Sequence, residues 1–268
     1  MRIAFIGAGN MAEAMISGII ARGSAQADDI TASDISEFRL GELNKRYGIQ
    51  CVQNNIEAVK GKDIVVLSVK PQVFSGISEG LRGRIESNQL VLSIMAGIKI
   101  DAINMLLAHR SIVRVMPNTP ARIAEGMSVW TATDSVFKDQ KDMAREVLAS
   151  LGKEIYVEEE KYIDMATAIS GSGPAYVFLI IEALIEAGVR IGLPRSTASE
   201  LVVQTIIGSA KYAEASGQHV AELRDAVTSP GGTTAEGLLV LEEGGLRAIL
   251  AQAVAAAYEK ALELGRER

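Results

Sequence analysis

Short, continuously apolar runs alternate with helix-like segments through the first 160 residues of the chain. The apolar runs have the length of strands, and most end in Gly, Asn, Asp or Lys-Pro; they are RIAFIG, DITASD, DIVVLSVK, QLVLSIMAG, SIVRVMPN, MSVWTAT and EIYV. Segments with helical spacing lie between them, for example residues 10–22, 36–47 and 138–152. Strands that are apolar on both faces are typical of a parallel sheet covered by helices on each side. The alternation therefore predicts a doubly wound α/β domain over residues 1–160.

The strand-like runs stop near residue 161, and the rest of the chain is rich in Ala, Leu, Ile and Glu at helical spacing. Glycines and prolines divide this part into four segments, which are 174–189, 195–216, 219–227 and 232–264. The pattern predicts a second, all-helical domain over residues 161–268. The EEEK run that precedes it is typical of a solvated junction.

The composition excludes several classes of protein. With 268 residues, 48% of them hydrophobic, and a net charge of −6, the chain has the profile of a soluble globular protein and lacks the excess of basic residues of a nucleic-acid binder. The single cysteine, Cys51, cannot form an internal disulfide and suits a reducing compartment. The apolar stretch YVFLIIEALIEAGV carries two glutamates and is too short to cross a bilayer. We therefore expect a cytoplasmic protein without a membrane segment.

A glycine-rich turn follows the first apolar run. The sequence FIGAGNMAEAM matches G-x-G-x-x-[G/A] at Gly7, Gly9 and Ala12. In a Rossmann-type βαβ unit the first glycine permits a tight turn, the second lets the backbone approach a pyrophosphate, and the third position must be small for helix–strand packing. The helix that starts there offers free N–H groups to phosphates. The motif predicts dinucleotide binding.

The second strand ends in TASDIS, which leaves the choice of dinucleotide open. Asp34 could accept hydrogen bonds from the ribose hydroxyls of NAD. Ser33, Ser36 and Arg39 could instead hold the 2′-phosphate of NADP. Both alternatives remain at this point.

Ligands of open α/β sheets bind beyond the carboxyl ends of the strands. The segments LSVKPQ and SIMAG end two further strands, so they should lie along the dinucleotide toward its nicotinamide. The candidate cofactor residues are Ile6, Gly7, Ala8, Gly9, Asn10, Met11, Ala12, Ser33, Asp34, Asn55, Ser68, Val69, Lys70, Pro71, Met95, Ala96 and Gly97.

Two hydroxyl- and glycine-rich segments, SGSGP and SPGGTT, precede helices in the second half. Both could be simple helix caps. SPGGTT also presents successive N–H groups and two threonine hydroxyls at a helix start, which is a way to hold a carboxylate without a basic residue. The two histidines, His109 and His219, show no metal-ligand pattern, so we expect no metal site.

The motifs FIGAGNMA, VKP, MPNTP, SGSGPAY, GLP and SPGGTT occur in the order and spacing of the Δ1-pyrroline-5-carboxylate reductase family, which the chain resembles from residue 3 to about 255. The resemblance implies reduction of a cyclic imine to L-proline, the last step of proline biosynthesis, with NADPH or alternatively NADH as cofactor. It implies a threonine, Thr167, near the imine nitrogen and a substrate carboxylate held by Ser229, Gly232, Thr233 and Thr234. It also implies a homodimer with intertwined helical domains, or a ring of such dimers.

This reaction would explain a site with almost no titratable group. A cyclic imine is basic enough to arrive protonated, so hydride transfer needs positioning more than an acid or a nucleophile. A β-hydroxyacid dehydrogenase is the nearest alternative, but it needs a catalytic lysine on the helix after the domain boundary, and residues 174–188 contain none. A non-catalytic NAD(P)-sensing protein would need no SPGGTT segment.

Overall fold

The computed structural model describes residues 1–266 and has an eight-stranded sheet. The strands are β1 (Ile3–Ile6), β2 (Ile30–Ser33), β3 (Gln50–Val52), β4 (Ile64–Leu67), β5 (Leu90–Ser93), β6 (Ile112–Met116), β7 (Gly126–Ala132) and β8 (Gly152–Tyr156). Their order is β3-β2-β1-β4-β5-β6-β7-β8. The chain therefore returns across β1 to reach β4, which places the carboxyl ends of β1, β2 and β4 side by side.

Twelve α-helices connect and follow these strands within the described residues. They are α1 (Asn10–Arg22), α2 (Glu37–Tyr47), α3 (Asn55–Val59), α4 (Phe74–Leu81), α5 (Ile100–Leu107), α6 (Lys138–Ala149), α7 (Lys161–Ala166), α8 (Gly173–Arg190), α9 (Arg195–Ser216), α10 (Val220–Ala226), α11 (Thr233–Glu243) and α12 (Leu246–Arg266). A π-helical turn, Thr167–Gly171, lies between α7 and α8.

The predicted doubly wound α/β fold is confirmed, because alternate residues of each strand enter separate apolar layers. Ile3 and Phe5 of β1 belong to one buried cluster, whereas Ala4 and Ile6 belong to the other. Burial on both faces accounts for the continuously apolar strands. Two details differ from the sequence pattern. The three-residue β3 is too short to show a period, and β7 runs antiparallel to β6, so the sheet is not wholly parallel.

The structure divides into two compact units. The first contains residues 1–172 together with the end of α12 from residue 257 onward, and the second contains residues 173–256. The boundary predicted from the sequence lies earlier, at residues 160/161, and it assigns the whole of α12 to the helical half. As a functional division of the chain that boundary stays a prediction.

The second unit contains helices α8 to α11 and the first half of α12. The predicted segments 195–216 and 219–227 correspond to α9 and α10. The predicted single segment 232–264 is wrong, because α11 ends at Glu243 and α12 begins at Leu246. Gly245 between them has φ of +71°, a left-handed conformation that interrupts a helix.

The helical run that contains the apolar stretch of α8 is longer than the sequence pattern predicted. The helical run Lys161–Arg190 has 30 residues and a mean hydropathy of 1.6 over its most apolar 18-residue window, so the expectation that it is too short for a membrane span is wrong. Core helices of soluble proteins reach the same length and hydropathy. Only 6% of that window is buried within the chain. Its apolar side chains therefore lack cover from their own chain.

Candidate active site

The turn between β1 and α1 has the geometry that a dinucleotide requires. Gly7 has φ of +98°, and a Cβ atom there would lie 2.8 Å from the backbone nitrogen of Val69, so only glycine fits. At Gly9 a Cβ atom would meet nothing within 4 Å. Gly9 is also the N-cap of α1, whose first turn has no side-chain cap. Open space and unpaired N–H groups thus coincide where a pyrophosphate would bind.

A cleft of about 540 Å³ opens beside this turn at the carboxyl ends of β1, β2 and β4. Eight of the candidate cofactor residues line it, namely Gly7, Gly9, Ser33, Asp34, Asn55, Ser68, Val69 and Lys70. The sequence pattern missed four further lining residues, Ile35, Gln53, Val73 and Ile77. Ile35 is 95% exposed, which is an unusual position for a large apolar side chain. Its place directly after Asp34 is the one sequence signal that could have found it.

Polar side chains from the neighbouring strand ends fix the turn. The Ser68 hydroxyl donates to the carbonyl oxygen of Gly7 at 2.7 Å, and the Asp34 carboxylate accepts from the N–H of Ala8 at 2.8 Å. Ser33, also at the cleft, shares a hydrogen bond with Asn55. The turn is therefore held by its own chain, and the residues present fit a dinucleotide.

The remaining candidate cofactor residues lie around the cleft rather than in its wall. Ile6, Ala8, Ala12 and Met95 are buried in the apolar layers. Asn10 and Met11 form the first turn of α1, and Ala96 lies in the loop after β5. Pro71 lines a separate cavity of about 330 Å³ beside α4 and α5. Gly97 faces α12, because a Cβ atom on it would lie 2.9 Å from the Cβ of Leu264. The cofactor roles of these residues stay predictions.

Thr167 begins the π-helical turn between α7 and α8 and is half-buried. Its hydroxyl donates to the carbonyl oxygen of Ile163 at 2.8 Å. The hydroxyl proton is thus taken up by the helix backbone, while the oxygen keeps its lone pairs for a donor. π-Helical turns are rare and occur often at functional sites. Asn118 also holds the turn, by donating to the carbonyl oxygen of Ser170 at 3.0 Å.

A buried ion cluster precedes this turn, and the sequence analysis missed it. The Arg114 guanidinium, with 2% of its side chain exposed, donates to Asp164 at 2.6 Å and to Glu160 at 2.8 Å. Glu160 also accepts from the N–H of Ile100 at 2.8 Å. The EEEK run is therefore not simply solvated, since one of its acids joins β6, α5 and α7. A charged residue inside the apolar run SIVRVM is the signal that should have predicted a buried partner.

The SPGGTT segment lies in the second unit and begins α11. Gly232 is the N-cap of that helix, and no side chain caps its first turn. Gly231 has φ of +68°, and the N–H of Gly232 donates to the carbonyl oxygen of Ser229 at 3.0 Å. Ser229, Thr233 and Thr234 are exposed. The segment thus presents uncapped N–H groups beside three hydroxyls, which suits an anion. Its role in substrate binding stays a prediction.

No group of three or more His, Cys, Asp or Glu side chains that could hold a metal ion occurs within residues 1–266. His109 is buried, with Nε2 2.9 Å from the carbonyl oxygen of Gln89, and His219 caps α10. Both histidines therefore have structural contacts of their own.

Comparison with known proteins extends over the whole chain. A family profile described as "Pyrroline-5-carboxylate reductase dimerisation" matches residues 160–264, and one described as "NADP oxidoreductase coenzyme F420-dependent" matches residues 2–97. The chain is 41% identical over 267 residues to the pyrroline-5-carboxylate reductase of Pseudomonas aeruginosa, and the matched region covers 99% of this chain and 97% of that protein.

Solved structures give the same result. The pyrroline-5-carboxylate reductase of Coxiella burnetii superposes with a TM-score of 0.91 at 40% identity and covers 98% of each chain. The pyrroline carboxylate reductase of Plasmodium falciparum, solved with NADP bound, has a TM-score of 0.90 at 34% identity and covers 99% of this chain and 98% of its own.

Proposed function

The chain belongs to the pyrroline-5-carboxylate reductase family, and on that premise we propose how its own residues carry out the reaction. The protein is an NAD(P)H-dependent oxidoreductase that reduces the cyclic imine pyrroline-5-carboxylate to L-proline in proline biosynthesis. The coenzyme supplies the hydride when it is bound. The task left to the protein is to hold the dinucleotide, fix the substrate and orient the imine.

The dinucleotide site is the cleft at the carboxyl ends of β1, β2 and β4. The observation that carries this assignment is the contrast between Gly7, where a side chain would collide with backbone, and Gly9, where space is open. The uncapped first turn of α1 then binds the pyrophosphate through backbone N–H groups.

The substrate carboxylate binds at the start of α11. The uncapped N–H groups after Gly232 and the hydroxyls of Ser229, Thr233 and Thr234 support this role. Charge-assisted hydrogen bonds to a carboxylate are roughly twice as strong as neutral ones, so donors of this kind suffice without a basic residue.

Thr167 orients the imine by accepting a hydrogen bond. Because its hydroxyl already donates to Ile163, its free lone pairs favour a partner that carries a proton, such as the N–H of a protonated imine. This contact would select the protonated, more electrophilic form of the substrate.

The active protein is a homodimer or a ring of dimers and works in the cytoplasm. The match to a dimerisation profile over residues 160–264 supports the assembly. The exposure of apolar side chains on α8, such as Phe178 at 60%, is what a surface covered by a second subunit would show. The same cover would account for the hydropathy of this helix without a membrane.

A coenzyme-oxidation assay tests the reaction directly. The purified protein should oxidise NAD(P)H with pyrroline-5-carboxylate and show no turnover with ketopantoate or a 3-oxo acid. Turnover with a 3-oxo acid and none with the imine would overturn the assignment.

A further inference from the structure

The loop after β2 contains the residues that distinguish the two coenzymes. NADP differs from NAD by a phosphate on the 2′ position of the adenine ribose, and dinucleotide folds meet that position just after the second strand. Asp34 and Ile35 line the cleft there, and Ser36 caps α2. An acid at this place suits the ribose hydroxyls, whereas a free cation suits a phosphate.

The Asp34 carboxylate is held in place by backbone. One oxygen accepts from the N–H of Ala8 at 2.8 Å, and the other accepts from the N–H of Ser36 at 2.9 Å. A carboxylate has about four lone-pair sites, so two remain for hydroxyl donors. The acid is therefore prepared to accept from the 2′- and 3′-hydroxyls of a ribose and presents a negative charge to a 2′-phosphate.

Arg39, the next cation along the chain after Asp34, already has acceptors for its side chain. Its Nε donates to the carbonyl oxygen of Ala8 at 2.8 Å, and its two terminal nitrogens bind Glu13 and Glu42. Glu13 also accepts from Arg46 at 2.5 Å. Burial would raise the pKa of the Glu13 carboxyl, but hydrogen bonds from Arg39 and Tyr47 and the nearby positive charges outweigh it and lower the pKa. Glu13 is thus ionised, and it neutralises the charge that a phosphate would need.

The rest of the cleft offers little compensation. Lys70 is the one cation among the described residues that line it. Lys70 follows β4, which is separated from β2 by β1, so the two strand ends are roughly 10 Å apart. The exposed residue beside Asp34 is the uncharged Ile35. A 2′-phosphate would therefore meet a carboxylate and an apolar side chain, with no free cation of its own.

We propose that Asp34 makes this protein prefer NADH to NADPH. The inference rests on the cleft being the coenzyme site, as proposed above. Asp34 contributes to the preference in two ways, by accepting from the ribose hydroxyls and by repelling the phosphate.

Binding without substrate separates this preference from turnover. Fluorescence of the reduced nicotinamide, followed as the intact protein is added to NADH or to NADPH, gives a Kd for each. We expect the Kd for NADH to be lower by at least about tenfold. Asp34→Asn keeps an acceptor oxygen for one of the two backbone N–H groups but loses the charge, and it should shrink the ratio of the two constants by about tenfold.

One further variant serves as a control, and another is a second test. Glu37→Gln removes an exposed charge from the start of α2, three residues after Asp34, and should leave the ratio of the two Kd values within about twofold. Glu42→Gln removes the charge of one of the two acids that bind Arg39. It should therefore tighten NADPH binding while NADH binding stays unchanged. The proposal is overturned if the wild-type protein binds NADPH as tightly as NADH, or if Glu37→Gln changes the ratio as much as Asp34→Asn. Failure of both coenzymes to bind would overturn the cleft assignment itself, and the proposal with it.

Discussion

The two compact units differ in how much of their apolar surface one chain buries. The first unit has two clusters of buried side chains, one on each face of its sheet, and these include Phe5 and Trp130 at 0% exposure. Between residues 173 and 256 the only buried residue is Ala198. In that range Leu179 is 65% exposed and Val240 is 67% exposed. The first unit completes its core alone, whereas the helical unit leaves large apolar side chains uncovered by its own chain.

The difference has an energetic consequence. Burying an exposed leucine or phenylalanine stabilises a structure by about 1.5–3 kcal/mol. The exposed apolar side chains of α8, α11 and α12 can therefore together stabilise an assembly by several times that free energy. Helix α12 fits this account, since its apolar side chains Leu246, Ile249 and Leu250 are 38%, 58% and 38% exposed. The comparison predicts that folding of the helical unit depends on a second copy.

The largest effect should come from a charge placed on the helical unit. Leu179→Glu would bury an unpaired carboxylate in the interface, so we expect loss of assembly and of activity. Met105→Glu on α5 is the matched control, because Met105 is 68% exposed and Leu179 is 65% exposed in one chain. Light scattering and the coenzyme assay measure both variants. If they behave alike, the two units do not differ in the way described.

Glycine variants test the first unit, whose site should be complete in one chain. Gly7→Ala forces a side chain against the backbone of Val69 at φ of +98°, so we expect stability to fall by about 1–3 kcal/mol and the coenzyme Kd to rise about a hundredfold. Gly9→Ala has room for its Cβ and should keep the wild-type Tm while it weakens coenzyme binding. A Gly9 variant that binds coenzyme normally would place the pyrophosphate elsewhere.

Thr167→Val should lower kcat by about tenfold to a hundredfold at unchanged coenzyme affinity, because it removes an acceptor that matters when the imine reacts. Thr167→Ser keeps the hydroxyl and should recover most of the rate. Steady-state kinetics with coenzyme titration make the measurement. Equal kcat for Thr167→Val and the wild type would leave the hydroxyl with its backbone bond to Ile163 alone.

Thr234→Ala moves the test to the helical unit. Loss of one donor to a carboxylate costs about 1.5–3 kcal/mol, so the KM for the imine should rise at least about tenfold while coenzyme affinity is unchanged. Thr228→Ala is the control, because the Thr228 hydroxyl donates to the carbonyl oxygen of Arg224 at 2.7 Å and has no role in the anion site. An unchanged KM for Thr234→Ala would reduce SPGGTT to a helix cap.

The smallest effect is the contribution of the buried His109 to the pH dependence of stability. Burial lowers the pKa of His109 below its usual range, against the opposing effect of its bond to Gln89. The unfolded chain then binds the proton more readily, so His109 contributes stability above pH ~6.5 that is lost as pH falls from there toward its folded pKa, at no more than about 1.4 kcal/mol per pH unit. Denaturant titrations at several pH values should show a shallower acid loss for His109→Gln.

The features that follow from local physical requirements were predictable from the sequence. Each of these features restricts the residue types at a few adjacent positions. Examples are the positive φ at Gly7, the small residue at Ala12 and the strands buried on both faces. The position of the cleft was also predictable, because the carboxyl ends of parallel strands meet at one edge of the sheet; its role as the dinucleotide site stays a prediction.

Features that depend on distant residues were not predictable. Arg114 binds Asp164, which lies 50 residues later in the sequence, and no local sequence pattern indicates that pairing. The hydrogen bonds that engage Arg39 with Glu13 likewise require α1 and α2 to be placed in space, which is why the sequence left the coenzyme choice open. The break at Gly244–Gly245 was hidden because helical spacing continues on both sides of it.

The mass of the folded, active protein tests the central comparison most directly. Gel filtration with light scattering at micromolar concentration, with activity measured across the peak, should give at least twice the chain mass of 28.5 kDa. On dilution, activity and helix content should fall together as subunits separate. An active, fully folded monomer of 28.5 kDa would show that the helical unit needs no partner, and it would contradict the account.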